Sequence, residues 1–251
     1  MKLKVLGTGS SGNCYALQEE TRYGQTLLLD AGLPLHKIIF PLAKEWKMIS
    51  GCLITHEHED HYMSAYKLAS WGIPTYATPG TIAAAKEGRL TQINAAPMLQ
   101  SIEVGNFTVL PFPTEHDAQE PCGWLIRSNT TGETAIYATD TYYLRHTFPG
   151  VNYWIVECNY TEGLLEQQTV EGRLTQQLRN RLIKSHMSLR RLCDVFKAND
   201  LSATRAIILV HLSDERSDEK FMEDTIKEVT GIEEVYAAEA GKTYSLNLTP
   251  F

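Results

Sequence analysis

The densest chemistry in the chain lies in Thr55-His56-Glu57-His58-Glu59-Asp60-His61, directly after the apolar run 51–54. Three histidines and an aspartate this close together are poor core material. Imidazole nitrogen and carboxylate oxygen are, however, the usual donors to zinc-like divalent cations. A loop leaving a strand end can aim His56 and His58 at one cation, and Asp60 and His61 at another. Two sites with about four donors each need more than this, so further donors are expected at other strand ends. Three candidates stand there: His116 in Pro113-Thr114-Glu115-His116, Asp140 after Ala135-Ile136-Tyr137-Ala138-Thr139, and His211 directly after 206–210. Singly, each reads as an ordinary turn residue; their recurrence beside the first cluster points to a shared metal centre. Two divalent cations make water nucleophilic near neutral pH and stabilise negative charge developing on phosphorus or a carbonyl carbon. Asp60 is the candidate to orient that nucleophile, and His186 the candidate to return a proton to a leaving alkoxide. The donors suit zinc, manganese and iron alike, with zinc ranked first.

Such a centre needs a scaffold that ends several strands at one edge. Strand-like runs cover 3–6, 14–17, 26–29, 52–54, 75–77, 101–104, 107–112, 123–127, 134–138, 153–156, 206–210, 235–236 and 243–246. Helical spacing covers 34–46, 63–71, 81–87, 164–182, 189–196 and 219–229. Gly105-Asn106 and Asn129-Thr130-Thr131-Gly132 read as hairpin turns. Strands in two batches, each followed by helices, predict an α/β protein of two packed sheets with helices outside. Asp30 ends an apolar run and is either a turn residue or a carboxylate that orients a ligand imidazole. The glycine-rich loop 7–13 lacks the helix and lysine of a nucleotide-binding P-loop and is expected on the metal face. His36 and His146 have no comparable context and are expected at the surface or partly packed.

Composition narrows the classes. The chain has 251 residues, 43% hydrophobic and 21% charged, with a formal net charge of −7. This is globular composition, read as a single metallo-hydrolase domain over 1–251. No run approaches the roughly 20 apolar residues of a membrane span, and the start has no signal-peptide pattern. Five scattered cysteines without a Cys-x-x-Cys pair predict reduced thiols and a cytoplasmic protein rather than a disulfide scaffold. Against the acidic whole, segment 172–197 holds seven basic residues and one acid, a local charge of +6. Bracketing His186, that segment could track a phosphate backbone or be the solvated face of amphipathic helices. Nucleic acid is therefore the expected substrate.

His56-x-His58-x-Asp60-His61, followed in order by His116, Asp140 and His211, resembles the metallo-β-lactamase superfamily over nearly the whole chain. The resemblance implies a four-layer αβ/βα sandwich with two metal ions at one edge between the sheets. By that likeness His56, His58 and His116 hold one ion, Asp60, His61 and His211 the other, and Asp140 bridges them. Gly9-Ser10-Ser11-Gly12-Asn13-Cys14-Tyr15, Thr114-Glu115-His116-Asp117-Ala118 and Glu157-Cys158-Asn159-Tyr160 are similar to the YycJ/WalJ-type branch, which is associated with DNA exonuclease activity. A late Gly-His-Leu-Ser motif of that branch is matched by Ser185-His186-Met187-Ser188, except at the first and third positions. The alternatives are a hydrolase of small esters, lactones or cyclic phosphodiesters, which needs no basic stripe, and a redox di-iron or non-catalytic metal-binding protein. Relatives of the redox kind usually place Glu where His58 stands and carry a flavin-binding partner domain; a non-catalytic module would have lost a ligand.

Overall fold

The computed structural model describes residues 1–85 and 92–246. Its strands form two seven-stranded mixed sheets. The first contains β1 (Lys2–Gly7), β2 (Cys14–Gln18), β3 (Thr26–Leu29), β4 (Ile49–Leu53), β5 (Thr75–Ala77), β6 (Asn94–Ala95) and, at the β1 edge, β14 (Thr243–Ser245). The second contains β7 (Ile102–Val104), β8 (Phe107–Pro113), β9 (Cys122–Ser128), β10 (Thr134–Ala138), β11 (Tyr153–Glu157), β12 (Ala206–Val210) and β13 (Val235–Ala237). Each sheet begins with antiparallel hairpins and continues as parallel strands, β3 to β6 in one and β10 to β13 in the other.

The central parallel strands β3, β4, β10, β11 and β12 are buried on both faces, which is why they read as nearly unbroken apolar runs. One face of each sheet meets the other through Leu3, Val5, Leu27, Trp124, Tyr137, Ile155 and Ile208. The outer face of the first sheet packs against α1 (Leu35–Ile39) and α3 (Ala65–Ser70) through Ile38, Ala65 and Leu68. That of the second packs against α7 (Leu189–Lys197) and α8 (Glu219–Thr230) through Leu192, Phe196, Met222 and Ile226. Helix, sheet, sheet and helix make the four layers.

The helices depart from the expected spans where local chemistry interrupts periodicity. Segment 34–46 is not one helix: α1 gives way to a 3₁₀ turn at Phe40–Leu42, since Pro41 has no N–H for the α ladder. Segment 164–182 divides into α5 (Glu162–Val170) and α6 (Gln176–Ser185). Gly172 between them adopts φ +72, and Thr175 caps the new helix by accepting from Leu178 N–H. The helix expected over 63–71 starts earlier, with α2 (Glu59–Tyr62) inside the histidine motif and α3 after it. Helix α4 (Pro79–Ala84) begins before the expected 81, and the expected end at Glu87 lies outside the described residues. Strand β6 was too short and too polar to register as a strand.

Candidate metal centre

All the sequence-selected donors lie at one edge because the strands preceding them run the same way. The parallel strands β3, β4, β10, β11 and β12 end there in Asp30, Thr55-His56, Asp140, Glu157 and His211, and β8 leads to His116. In open α/β sheets ligands collect outside such carboxyl ends. Asp60 and His61 sit on α2 rather than in a loop, with His58 in extended backbone just before it. Asp60 O accepts from Asn13 N–H (2.8 Å) and His61 O from Ala31 N–H (2.7 Å), so the glycine-rich loop and the turn after β3 hold this helical turn. Gly32 makes that approach possible: a Cβ there would lie 1.6 Å from the Asp60 carbonyl oxygen.

Around the bridging candidate Asp140 the donor atoms face one another. His56 Nε2 is 3.0 Å from His58 Nδ1, and His58 Nδ1 is 3.2 Å from His116 Nε2. Asp140 Oδ2 lies 3.4 Å from His56 Nε2, 3.0 Å from His61 Nε2 and 3.7 Å from His116 Nε2. On its other side Asp140 Oδ1 is 2.9 Å from His211 Nδ1. Asp60 Oδ2 is 3.6 Å from His61 Nε2. Candidate donor atoms of His56, His58, His116 and Asp140 fall within 4.8 Å of one another, as do those of Asp60, His61, Asp140 and His211. Tetrahedral donors around zinc are separated by about 3.3 Å, given bonds of about 2.0–2.1 Å, and these distances bracket that spacing.

Buried carboxylates behind the cluster set the ring orientations. Asp30, fully buried, accepts from Thr55 N–H (2.8 Å), the Tyr137 hydroxyl (2.6 Å) and His61 Nδ1–H (2.8 Å). This holds the His61 ring with Nε2 toward Asp140, the contact that an orienting carboxylate makes. Glu157, which sequence reasoning did not single out as a site residue, plays the matching part in the other sheet. Its Oε1 is 2.7 Å from His186 Nδ1 and 3.0 Å from His211 Nδ1, while Oε2 accepts from the Thr141 and Met187 backbone. The available signal was a lone charge ending the run Tyr-Trp-Ile-Val-Glu, the same position that marked Asp30. His211 Nε2 is left buried without a hydrogen-bond partner, an arrangement that calls for a ligand. His116 Nδ1 donates to Ser185 O at the end of α6 (3.0 Å), which leaves its Nε2 for the cluster. His36 and His146 are exposed.

Backbone strain concentrates at the same edge. Asp30, Asp140 and His211 have φ of 59, 48 and 54, a left-handed conformation that costs about 1–3 kcal/mol per non-glycine residue. Charge is equally concentrated. Burial works against a charged His61, yet the Asp140 and Asp30 carboxylates outweigh it and hold its pKa well above the ordinary value. The same contest pushes His211 up to about 9 and His186 up to about 10, with Asp140 and Glu157 prevailing over burial. Burial and the neighbouring His61 push His56 well below the ordinary value. Asp140, despite burial, is held well below the usual carboxylate range by the surrounding imidazoles. The cluster opens into a cleft of about 270 Å³ lined by His58, Asp60, His116, Asp140, His186 and, from α6, Arg181.

This fold and donor set coincide with a family match. The model of the beta-lactamase superfamily domain matches residues 25–212, and the chain belongs to that superfamily. Over 230 residues it is 27% identical to the exodeoxyribonuclease WalJ of Streptococcus pneumoniae serotype 2 (strain D39 / NCTC 7466), covering 86% of this chain and 83% of the relative. It is 29% identical over 201 residues to the exodeoxyribonuclease YycJ of Bacillus anthracis, covering 73% and 70%. In fold it is similar to the crystal structure of the metallo-beta-lactamase fold protein YhfI of Bacillus subtilis. That likeness has a TM-score of 0.70 at 19% identity, over 97% of this chain and 98% of that one.

Proposed function

We propose that residues 1–251 act as one metal-dependent hydrolase domain, a dinuclear phosphodiesterase that removes nucleotides from DNA ends. The observation that carries the reading is the convergence of six donors from both sheets around a seventh, Asp140, with His211 Nε2 buried and unpartnered. Nitrogen and oxygen donors at these spacings suit two divalent cations, zinc first and manganese or iron next. His56, His58 and His116 would hold one, Asp60, His61 and His211 the other, and Asp140 both. The chemistry that such cations supply is water made nucleophilic near neutral pH and relief of negative charge building on phosphorus.

The chain's own residues do the rest. Asp60, partly exposed at the cleft, orients the attacking water through its free carboxylate oxygen. His186, which lines the cleft and whose Nδ1 is held by Glu157, carries the proton that the leaving 3′ or 5′ oxygen needs. Similarity to exodeoxyribonucleases and the +6 charge of segment 172–197 support a nucleic-acid substrate. Five free, buried cysteines favour a reducing compartment, and we assign the protein to the cytoplasm. No helix among the described residues is long and apolar enough to cross a membrane. The test is hydrolysis of end-labelled DNA by metal-loaded protein, abolished by chelation and by Asp60→Ala. DNA turnover that survives both removes this reading.

A further inference from the structure

The seven basic residues of segment 172–197 are not equivalent once folded. Arg173 is ion-paired with Glu171, and Arg179 with Glu166 (3.2 Å). Arg191 donates to Ile183 O (2.6 Å) and lies 5.2 Å from the centre of the Tyr142 ring. Arg190 faces a separate cavity, together with Arg179, Glu162 and Asp194, that shares no wall residue with the metal cleft. Lys197, the last residue of α7, lines neither that cavity nor the metal cleft, and Arg181 and Lys184 differ from all of these. They are exposed, form no ion pair among the described residues, and lie three residues apart on one face of α6.

That face borders a cavity of about 330 Å³ whose wall also includes Tyr142, His116 and Ser185. The cavity adjoins the metal cleft, since His116, Asp117, Arg181 and Ser185 line both. Its size falls at the lower end of small-ligand sites, about 300–1,000 Å³. Of its two acids, Glu115 is already paired with Arg145, so Arg181 and Lys184 outnumber the remaining Asp117. The hydrogen bond from His116 to Ser185 O locks this turn of α6 to a candidate ligand, which fixes the two cations' distance from the reacting centre. Unpaired cations beside an aromatic ring form the usual surface for a single nucleic-acid strand: charge for phosphates, ring face for a base.

We propose that Arg181, Lys184 and Tyr142 form a subsite for the nucleotide next to the scissile phosphate. Arg181 and Lys184 hold the flanking phosphate there, and the base lies against the part of Tyr142 that lines this cavity, a wall to which Arg191, seated over the ring, does not contribute. The inference rests on the nucleic-acid reading above and makes a flanking phosphate, absent from a small diester, the feature that selects the substrate. The test compares metal-loaded wild type, Arg181→Ala/Lys184→Ala and Arg181→Lys on a ten-nucleotide single strand of DNA and on bis(4-nitrophenyl) phosphate. Anisotropy of a phosphorothioate version of the strand over a salt series gives binding without turnover.

For the double variant, kcat/KM on DNA is expected to fall about 30- to 100-fold, mostly through KM. Its log–log salt slope for binding should shrink by about 1.4, the value for two contacts on a single strand. Hydrolysis of the small diester and metal content should stay within about twofold, and Arg181→Lys should recover most of the loss. Unchanged KM and salt slope on DNA overturn the subsite while leaving the nuclease reading standing. Parallel loss on both substrates overturns it too, because α6 would then be acting on the metal centre. Wild type that cleaves the small diester but no DNA overturns both readings.

Discussion

The two ends of the sandwich bury polar groups in opposite ways. At the far end, Glu19 accepts from Ser128 Oγ (2.5 Å), Gln25 N–H (3.1 Å) and Asn106 Nδ2 (3.1 Å). Nearby, Glu133 accepts from the Met1 amino nitrogen (3.0 Å), Thr131 Oγ1 (3.0 Å), Arg205 (3.1 Å) and the Tyr153 hydroxyl. Every partner there is a donor, as structure-stabilising burial requires. At the metal end, imidazole nitrogens face imidazole nitrogens, His211 Nε2 has no partner, and three residues take left-handed backbone. Polar burial alone therefore does not mark a site. The mark is the convergence of imidazole nitrogens and a carboxylate on one another, with a buried ring nitrogen left unpartnered, as donors to a cation would stand.

Substitutions can separate the two regimes. Asp140→Ala removes the one group shared by both donor sets, and hydrolysis should fall by about a thousandfold or more, measured as kcat/KM. Glu133→Gln, also a buried carboxylate, should leave that constant within about twofold. Next in size are Asp30→Asn and Glu157→Gln, which remove only the hold on His61 and on His186 and His211. Metal affinity should weaken about 10- to 100-fold, read by competition with a chromogenic chelator; unchanged affinity would deny these carboxylates their orienting part. Smaller still is the cost of Glu133→Gln itself, about 1–3 kcal/mol of stability. That corresponds to a melting temperature lower by about 2–12 °C, with no change in metal content.

The smallest effect is a pH dependence at the far end. Burial raises the Glu19 and Glu133 carboxyls, but hydrogen bonds from Ser128 and Gln25, and from Tyr153 and Met1, outweigh it and lower both below the ordinary 4.5. A folded-state pKa below the unfolded value gives stability that is complete above about 4.5 and lost as pH falls through the folded value. Denaturant midpoints should therefore drop between pH 4.5 and lower values in wild type. Glu19→Gln should flatten that slope without touching metal binding.

Much of the metal end was legible because each donor interrupts local apolar patterning. His56, Asp140 and His211 follow runs that must be buried strands, so a histidine or aspartate there needs a reason. Glu157 carries the same signal, but in the sequence it stands out only within the motif Glu157-Cys158-Asn159-Tyr160, with no role of its own. What local pattern could not provide was the pairing across sheets. Nothing near Asp30 announces that it will reach His61, or that Ser185 will hold His116, since those contacts follow from how the two sheets pack. The breaks at Pro41 and Gly172 were visible as residues, yet apolar spacing on either side masked them. Segment 172–197 was legible as basic. Which of its cations remain free depends on acids such as Glu166 that only folding brings near.

The most direct measurement is elemental analysis of protein reconstituted with zinc or manganese and dialysed free of excess ion, beside Asp140→Ala. Two equivalents per chain in the wild type, falling to one or none in the variant, are the expected result. A wild-type ratio of one or less, or two equivalents retained without Asp140, would contradict a pair of cations assembled around this carboxylate.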